Sequence, residues 1–307
     1  MALTDRDTSL NYLGELFMVG AKQTPFLNMI GGVNGANAKK TASMIFPVGQ
    51  TWTPEAAAIP AIDEDEFAGT APEGTTTSRT QLLNTIMPFR QVVQVSDLRQ
   101  EMYGELSGLS ALGDQPVKDE FAFQKMARLK KMALDMEKAF LSGVYAEAVN
   151  SSTAAQTRGI ITASTINTVA AGSVKVTKAL MDQLFQEMAD NGALFENIVV
   201  WCNSFNKRVI SDIYGYIPES RTEGGANIQR IMSDFCEATV MYDPQMPTDT
   251  ILVADMNYIN PVFSASGLKF EEYAKVGGSR KGAFSAIAGI DYGLPQNFGT
   301  LTGTATA

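Results

Sequence analysis

Residues 277–282, which read GGSRKG, form the stretch best suited to binding an anion. Backbone amides in a glycine-containing turn, together with the side chains of Arg280 and Lys281, can surround a phosphate. The spacing is not that of a P-loop, however, and the terminal Ser or Thr is missing. Paired glycines between strand-like runs favour a β-turn with a basic tip. The segment GGVNGA at 31–36 fits a dinucleotide fingerprint even less well, because no strong strand precedes it.

Two other charged stretches could bind ions. Residues 63–66 read DEDE and could hold a divalent cation, but they lack the ligand alternation of a calcium loop, so a solvated loop tip is favoured. Arg128, Lys130 and Lys131 could contact phosphates, and a solvated helix face explains them equally well. No carboxylate pair, activated nucleophile or metal cluster has a spacing that indicates catalysis. The sequence therefore predicts no catalytic residue, no metal and no cofactor.

The composition favours binding or assembly over catalysis. The 307 residues include no histidine, which removes the commonest general base and transition-metal ligand, and the net charge of -9 repels nucleic acid overall. At 45% hydrophobic residues the chain can support one core or two smaller ones, and two lobes are expected. Cys202 and Cys236 lie in apolar runs and are interpreted as buried free thiols. The N-terminal sequence lacks the pattern of a secretory signal, which predicts a soluble intracellular protein.

The element that must organise the chain is a long helix, predicted over residues 116–146 with Asp114 and Gln115 as cap candidates and Gly143 as its natural end. It would be roughly 45 Å long at 1.5 Å per residue. Its apolar residues recur at spacings of three and four, which predicts one packed face and one face in water. The apolar stripe is Ala122, Met126, Leu129, Ala133, Met136, Phe140 and Val144. The methionines Met126, Met132 and Met136 are interpreted as core packing, and the polar row is Gln124, Arg128, Lys131, Asp135 and Lys138.

The segments before this helix have β patterns. Residues 1–35 predict an arm with little core of its own. Residues 43–49 and 80–97 predict two strands joined by a long irregular tip, and Pro88 indicates an edge or a bulge. Together they predict a hairpin that projects from the body.

The segments after the helix predict a second lobe. One helix is expected from a Thr177 cap through Asn191, and a second over residues 205–214, capped by Asn203 or Ser204 and ended at Gly215. They flank a continuous apolar run at 198–202, which implies a sheet covered on both faces. A polar loop at 216–228 follows. Three further β runs, ATVMYD, TILVAD and GLKFEEYAKV, precede the glycine pair.

In this order, several fragments resemble the major capsid proteins of tailed bacteriophages, which have the Hong-Kong-97-type coat fold. The fragments are TPFLNMIG in the arm, Trp52 and EGTTTSRTQLLNTIMPFRQVVQVSD in the hairpin, DMEKAFLSG at the end of the helix, RGI at 158–160, MPTDTILVAD, and LKFEEYAKVGGSRKGAFSAIAGIDYG. Each fragment is weakly specific alone. Their joint order, over roughly residues 20–300, is a much stronger signal.

The resemblance implies an α+β subunit of four parts. These are an N-terminal arm at 1–40, an extended β-hairpin loop at 41–97, a peripheral domain at 98–164 and 271–307 with the spine helix at 116–146, and an axial α/β domain at 165–270. In that family the extended loop lies over a neighbouring subunit's spine region. The implied function is a non-enzymatic major capsid protein that self-assembles into hexamers and pentamers of an icosahedral shell around double-stranded phage DNA.

The resemblance also implies the partners. They are other copies of the chain, portal, scaffolding and decoration proteins, and packaged double-stranded DNA bound through weak non-specific contacts, with no membrane. Because the chain starts at the arm, a separate scaffolding protein or a processed precursor is expected. The implied location is the virion capsid, assembled in the host bacterial cytoplasm.

Contacts between subunits are predicted first for apolar residues. An arm and a hairpin with little core of their own must bury Phe26, Leu27, Trp52 and Ile59 somewhere, and a neighbouring subunit provides the surface.

Charged contacts form a second group of predictions. Arg79 and Arg90 on the hairpin are expected to pair with Asp119 or Glu120 of an adjacent subunit, each pair contributing about 0 to 1 kcal/mol. Further along the chain, Arg221 and Glu223 are expected to alternate in charge around a capsomer axis, and Arg128 and Lys131 are candidates to face DNA.

Two alternatives stay open from sequence. An encapsulin-like nanocompartment subunit would share the fold and enclose protein instead of DNA. A soluble α/β enzyme or binding protein, with residues 216–228 as a lid, would be a stable monomer.

Overall fold

The computed structural model describes residues 23–31, 37–59, 64–69, 76–103, 119–214, 230–275 and 277–306. The helices are α1 Pro25–Met29, α2 Glu64–Ala68, α3 Asp97–Tyr103, α4 Glu120–Ser142, α5 Ile160–Ala163, α6 Lys178–Asp190 and α7 Ser204–Tyr214. The strands are β1 Lys39–Thr41, β2 Ile45–Trp52, β3 Arg79–Thr85, β4 Met87–Ser96, β5 Thr168–Ala170, β6 Ile198–Cys202, β7 Arg230–Met232, β8 Glu237–Tyr242, β9 Thr250–Asp255, β10 Asn260–Ser264, β11 Lys269–Tyr273, β12 Ser279–Asp291 and β13 Phe298–Thr302.

A five-stranded sheet is built around the long strand β12. The order is β1-β10-β12-β11, and β4 pairs with β12 along the other side, from Ser96 opposite Ser279 to Met87 opposite Ala288. The prediction of an edge strand at Pro88 is confirmed, since β4 pairs with no other strand among the described residues. The returning segment 80–97 divides at Ile86, so that β3 serves the hairpin and β4 serves this sheet.

A six-stranded sheet has the order β5-β13-β9-β6-β8-β7. Strand β6 is buried at every residue, as predicted: Val199 and Trp201 point into one core, and Val200 and Cys202 point into the other. The sheet is therefore covered on both faces. The flanking helices α6 and α7 both pack in the second core, however, and the first core is closed by α1 and α4.

The bounds of the long helix need correction. Helix α4 runs over Glu120–Ser142, so it is shorter than the predicted 116–146. It begins at Glu120 because the Asp119 carboxylate accepts hydrogen bonds from the backbone N–H groups of Phe121 and Ala122, which have no partner within the helix. The expected end at Gly143 is confirmed, and the proposed caps Asp114 and Gln115 lie outside the described residues.

The predicted apolar stripe is correct only for the second half of α4. Met132, Met136 and Phe140 are buried in the first core, whereas Met126 and Leu129 are exposed. The predicted stripe residue Val144, beyond the helix end, is exposed as well. The strands and helices of the first core cover α4 from Met132 onwards, and Phe121 packs on Phe270 at the start, with 6.4 Å between ring centroids. Every residue from 126 to 131 is exposed, so these turns have no packed face among the described residues.

Tight packing between α4 and the segment before α5 fixes the end of the long helix. The backbone N–H of Gly159 donates to the Gly143 carbonyl at 2.9 Å. A Cβ at Gly159 would lie 2.6 Å from the Gly143 nitrogen and 2.6 Å from the Leu141 carbonyl oxygen, closer than real Cβ atoms come. Glycine at 159 is therefore required by the approach of the two backbones.

The arm does not need a neighbour to bury its apolar residues, which corrects the prediction for Phe26 and Leu27. Both side chains of α1 are buried in the chain's own first core, together with Ile30. The Phe26 ring meets the Trp201 indole edge to face, with 5.4 Å between centroids. This part of the arm is a constituent of the fold, and residues 1–22 lie outside the described part.

The predicted hairpin is a two-stranded ribbon of β2 and β3. The strands pair antiparallel from Ile45 opposite Thr85 to Trp52 opposite Arg79, with a register shift between Pro47 and Gly49. The helix α2 lies between these strands in sequence, so residues 64–66 of the acidic run are helical, which corrects the predicted loop.

The domain boundaries stay predictions. Strands from different predicted segments pair with one another in both sheets. Strand β4, from segment 41–97, pairs with β12, and so does strand β11, which spans the predicted boundary at 270. Strand β13, from segment 271–307, pairs with β9 in the six-stranded sheet.

Candidate assembly surfaces

The hairpin beyond β2 leaves large apolar side chains in water. Trp52 is 60% exposed, Ile59 is 95% exposed and Phe67 is 87% exposed. A two-stranded ribbon has no second layer to cover its side chains. Scattered apolar residues are ordinary on protein surfaces, but three large ones within one short acidic segment indicate a contact surface. Trp52 and Ile59 are therefore exposed in the single chain, as the interface prediction requires, and Phe67 joins them.

The same segment, 53–69, has a net negative charge, concentrated at residues 63–66. It contains no Lys or Arg, and its acidic residues are Glu55, Asp63, Glu64, Asp65 and Glu66. The described carboxylates Glu55 and Glu64 are exposed. We call residues 52–69 the hairpin surface.

The exposed turns of α4 have the opposite charge. Residues 125–131 contain four cationic side chains and no acid, namely Lys125, Arg128, Lys130 and Lys131. Met126, 53% exposed, and Leu129 lie among them. We call residues 125–131 the helix surface. It combines apolar and cationic groups, whereas the hairpin surface combines apolar and anionic groups.

The four charged residues predicted to form pairs between subunits lie in different settings. Arg79 is exposed at the start of β3, opposite Trp52. Arg90 donates to the Tyr273 hydroxyl at 2.5 Å. Asp119 is engaged as the cap of α4, and the buried Glu120 carboxylate accepts from the Arg99 guanidinium at 3.0 Å. Both acids thus have partners within the chain.

The remaining predicted site residues are the two DNA-facing candidates and the two capsomer-axis candidates. Arg128 is exposed, and Lys131 donates to the Asp135 carboxylate one turn further along α4. Arg221 and Glu223 lie outside the described residues.

A groove of about 530 Å³ lies between β4 and the second half of α4. Arg90, Asp135 and Lys138 line it, with Phe89 and Met132. The groove brings one predicted contact residue of the returning strand next to the polar row of the long helix.

The GGSRKG segment contains the expected turn between β11 and β12, but the prediction of a basic tip was wrong. β12 begins at Ser279, so Arg280 and Lys281 lie within the strand. The Arg280 guanidinium pairs with Glu272 at 3.0 Å and lies 4.4 Å from the centre of the Phe121 ring. Its charge serves the fold and is not presented to an anion.

Both cysteines are free thiols. Cys202 is buried, as predicted, and Cys236 is only half-buried. Burial raises the pKa of Cys202 to about 12 and that of Cys236 to about 11, which keeps both thiols protonated and unreactive near neutral pH.

No group of three or more His, Cys, Asp or Glu side chains among the described residues could hold a metal ion. None of the helices in this part of the chain is long and apolar enough to span a membrane.

Sequence reasoning missed Phe67 and the exposure of the helix surface. Phe67 follows directly on the acidic run 63–66, and a lone aromatic residue in such a polar loop is a signal that could have been used. The exposure of Met126 and Leu129 has no local signal, because their spacing is that of a packed helix face.

The profile of one family matches almost the entire sequence, over residues 3–305, and that family is the SU10 major capsid protein. The chain belongs to this family. It is a shell subunit of a phage capsid and a structural component of the virion. Membership of a structural protein family argues against an enzyme. No curated protein sequence matches the chain.

Solved structures confirm the α+β Hong-Kong-97-type fold of this capsid protein. The capsid of cyanophage A-1(L) matches with a TM-score of 0.68 at 10% identity, over 98% of this chain and 97% of that chain. The capsid of cyanophage P-SCSP1u matches with a TM-score of 0.60 at 11% identity, over 98% and 94%. The SrpI encapsulin of Synechococcus elongatus PCC 7942 matches with a TM-score of 0.60 at 10% identity, over 97% and 94%. At these identities the likeness concerns the fold alone.

Proposed function

We propose that this capsid protein builds its shell by laying the hairpin surface of one subunit across the helix surface of the next. The observation that carries the proposal is the match between them. One surface has five acids and no base, the other has four bases and no acid, and each exposes large apolar side chains. Apart from Lys125, which is half-buried beside the Phe121 and Phe270 rings, the described residues of both surfaces are exposed.

The apolar side chains supply most of the contact energy. Covering one large apolar side chain contributes about 1.5 to 3 kcal/mol, whereas an exposed ion pair contributes about 0 to 1 kcal/mol. The charges act mainly on the rate of encounter and on the choice and register of the partner. Many weak copies of one contact then stabilise the particle.

The geometry of the contact favours closed rings. The hairpin and the helix are different surfaces of one chain, so the contact is head-to-tail, and head-to-tail contacts close into rings when the rotation between subunits permits. Hexamers and pentamers made in this way form an icosahedral shell. The net charge of -9 suits a container that holds double-stranded DNA without binding it tightly.

The other charged residues have subsidiary roles in this proposal. Arg79 lies beside Trp52 and extends the contact, and Arg90 contributes from the groove next to α4. Because Asp119 and Glu120 have partners within their own chain, we expect weak pairs there. Arg221 and Glu223 are proposed to alternate in charge around the capsomer axis.

The wider account is part of the same proposal and rests on the resemblance to capsid proteins. The subunit is non-enzymatic, assembles in the bacterial cytoplasm with portal, scaffolding and decoration proteins, and encloses the genome. The parts are the arm at 1–40, the extended loop at 41–97, the peripheral domain at 98–164 and 271–307, and the axial domain at 165–270.

A charge-swap experiment tests the contact. Arg128→Glu with Lys130→Glu should abolish or strongly reduce particle yield by electron microscopy and sedimentation. Adding Glu55→Lys and Glu64→Lys to the same chain should restore particles, because the contact then has the same charges exchanged. Lys175→Glu with Lys178→Glu, both exposed near the start of α6, is the matched control.

The outcome also separates the two candidate occupants of the helix surface. If Arg128 and Lys131 instead face DNA, the reversal should leave shell assembly intact and lower DNA content, and the hairpin substitutions should restore nothing. That pattern would overturn the hairpin contact.

An encapsulin-like compartment is the second candidate, because the SrpI encapsulin shares the fold. Shell formation cannot distinguish the two. Images of purified particles can: a portal vertex and a DNA-filled interior support the phage shell, and a small shell filled with protein supports the compartment.

A further inference from the structure

Two fully buried carboxyl groups meet where the arm, the long helix and the six-stranded sheet come together. Glu137 lies on α4, and Asp243 directly follows β8. The backbone N–H of Leu27, in α1, donates to Glu137 Oε2 at 3.3 Å, and the N–H of Gln245 donates to Asp243 Oδ1 at 2.7 Å. The second oxygen of each group, Glu137 Oε1 and Asp243 Oδ2, has no other hydrogen-bond donor among the described residues.

Ionising both carboxyl groups would cost a large amount of free energy. Removing a carboxylate from water is costly unless a cation or several donors compensate, and two adjacent charges repel each other. Burial, then the charge of Asp243, raises the pKa of Glu137 to about 9, and burial also raises the pKa of Asp243. A proton between the two unsatisfied oxygens would give each of them a partner.

The titratable groups around the pair do not replace that proton. The Cys202 thiol of β6 is affected electrostatically by Asp243, and burial keeps that thiol neutral by raising its pKa. The charge of Lys207, on α7, opposes the rise in the pKa of that thiol, and burial lowers the pKa of Lys207 itself. Helices α1 and α5 contain no charged residue.

We propose that Glu137 and Asp243 share one proton and act as a proton-dependent clasp that holds α1 against α4 and the six-stranded sheet. The clasp concerns attachment of the arm within one subunit and goes beyond the proposed contact between subunits.

Helix α1 is the element that should move when the proton is lost. It has five residues, whereas α4 has 23 and is held along its second half by the first core. Loss of the proton would leave negative charge on both Asp243 and Glu137, the acceptor of the Leu27 amide. Only a displacement that admits water can hydrate both carboxylates. Separation of α1 would expose Phe26 and Leu27.

The direction with pH follows from the raised pKa of Glu137. The clasp is fully effective below the ordinary carboxyl value of 4.5 and is lost as the pH rises through about 9. Between these limits the open form, whose carboxyl group titrates normally, releases a proton that the closed form retains. The equilibrium constant for opening therefore rises by up to about tenfold per pH unit.

Hydrogen exchange on assembled particles of the full chain tests the clasp. The amides of Leu27 and Ile30 should be followed from pH 6 to pH 10 and corrected for the intrinsic exchange rate. The corrected opening constant of the parent should rise by up to about tenfold per pH unit below about pH 9 and then level off. Amides of β6 should stay protected and serve as an internal reference.

Substitutions localise the effect. Glu137→Gln keeps the shape and an acceptor for Leu27 but cannot ionise, so its opening constant should be independent of pH. Asp243→Asn leaves Glu137 buried but removes the second cause of its raised pKa, so the opening constant should level off at a lower pH than in the parent. This variant provides the test if Glu137→Gln does not fold, and an unshifted profile would contradict the shared proton. Asp135→Asn removes a half-buried carboxylate from the same helix and should behave like the parent. A flat profile in the parent, or a Glu137→Gln profile that follows the parent, would overturn the proposal.

Discussion

Helix α1 and the hairpin surface are both short apolar segments without a core of their own, yet they end in opposite environments. Phe26 of α1 is completely buried against Trp201, whereas Ile59 of the hairpin surface is almost completely exposed. Both were expected to need a neighbouring subunit. The difference separates apolar residues that complete the fold from those left for assembly.

The cause of the difference is the presence of a second layer. Phe26, Leu27 and Ile30 pack in the first core with residues of α4 and of the six-stranded sheet. The hairpin extends as a ribbon of β2 and β3, and no described helix or sheet covers its tip. Substitutions in the first region should therefore affect folding, and those in the second should affect assembly.

The largest effect is expected for Phe26→Ala. Removing a buried aromatic ring costs about 3 to 5 kcal/mol of unfolding free energy, through lost contacts and the remaining cavity. Denaturant unfolding of the unassembled subunit measures it. Phe67→Ala is the matched control and should change the same free energy by less than about 0.5 kcal/mol. Equal losses for both variants would remove the distinction between the regions.

The hairpin side chains should show the reverse pattern. Ile59→Ser and Phe67→Ser each remove about 1.5 to 3 kcal/mol of contact free energy, so each should raise the subunit concentration needed for assembly by at least about tenfold. Light scattering during assembly measures that concentration, and melting of the unassembled subunit should be unchanged. Val149→Ser, at another exposed apolar residue, should leave assembly intact. Normal assembly of the double variant would contradict the hairpin contact.

A smaller effect on the fixed region is expected for Gly159→Ala. The added methyl group would collide with the backbone at the end of α4 and should cost about 1 to 3 kcal/mol of unfolding free energy. Gly278→Ala is the control, since a Cβ there meets only the Asp97 side chain at 3.6 Å. If thermal melting shows equal stability for the two variants, the close approach of Gly143 and Gly159 does not constrain the fold.

The local pattern of the sequence was sufficient for elements whose ends and faces are encoded within them. Thr177 caps α6 by accepting from the Leu180 amide, Gly143 ends α4, and the apolar run 198–202 is the central strand β6. These three features depend on residues close in sequence, so capping residues and the apolar run predicted them correctly.

Features that depend on distant residues could not be predicted in this way. The spacing of Met126 and Leu129 gives the side of the helix on which they lie but not whether a sheet lies opposite them. Glu137 is buried because Asp243 and the backbone of α1 pack against it. No local sequence pattern indicates that a glutamate on this helix is buried or that its pKa is raised. The capsid resemblance supplied the family, while the complementary surfaces became visible only with exposure known residue by residue.

The smallest effects should come from the arginines of the returning segment. Arg79→Glu and Arg90→Glu should each weaken the contact by about 0 to 1 kcal/mol, and less at high salt. Particle yield across a salt series measures this, with Arg208→Glu on α7 as the control. If yield from the double variant is unchanged at low salt, neither arginine contributes to assembly.

The two tryptophans allow the central comparison to be measured directly. Trp201 contacts α1 and is buried, and Trp52 begins the hairpin surface and is exposed. Acrylamide quenching of fluorescence in the parent and in Trp52→Phe, before and after assembly, isolates Trp52 by difference without altering the core. The account predicts that Trp52 becomes protected from quenching in the shell, while Trp201 is equally protected in both states. Unchanged quenching of Trp52 after assembly would contradict the claim that a neighbouring subunit covers the hairpin.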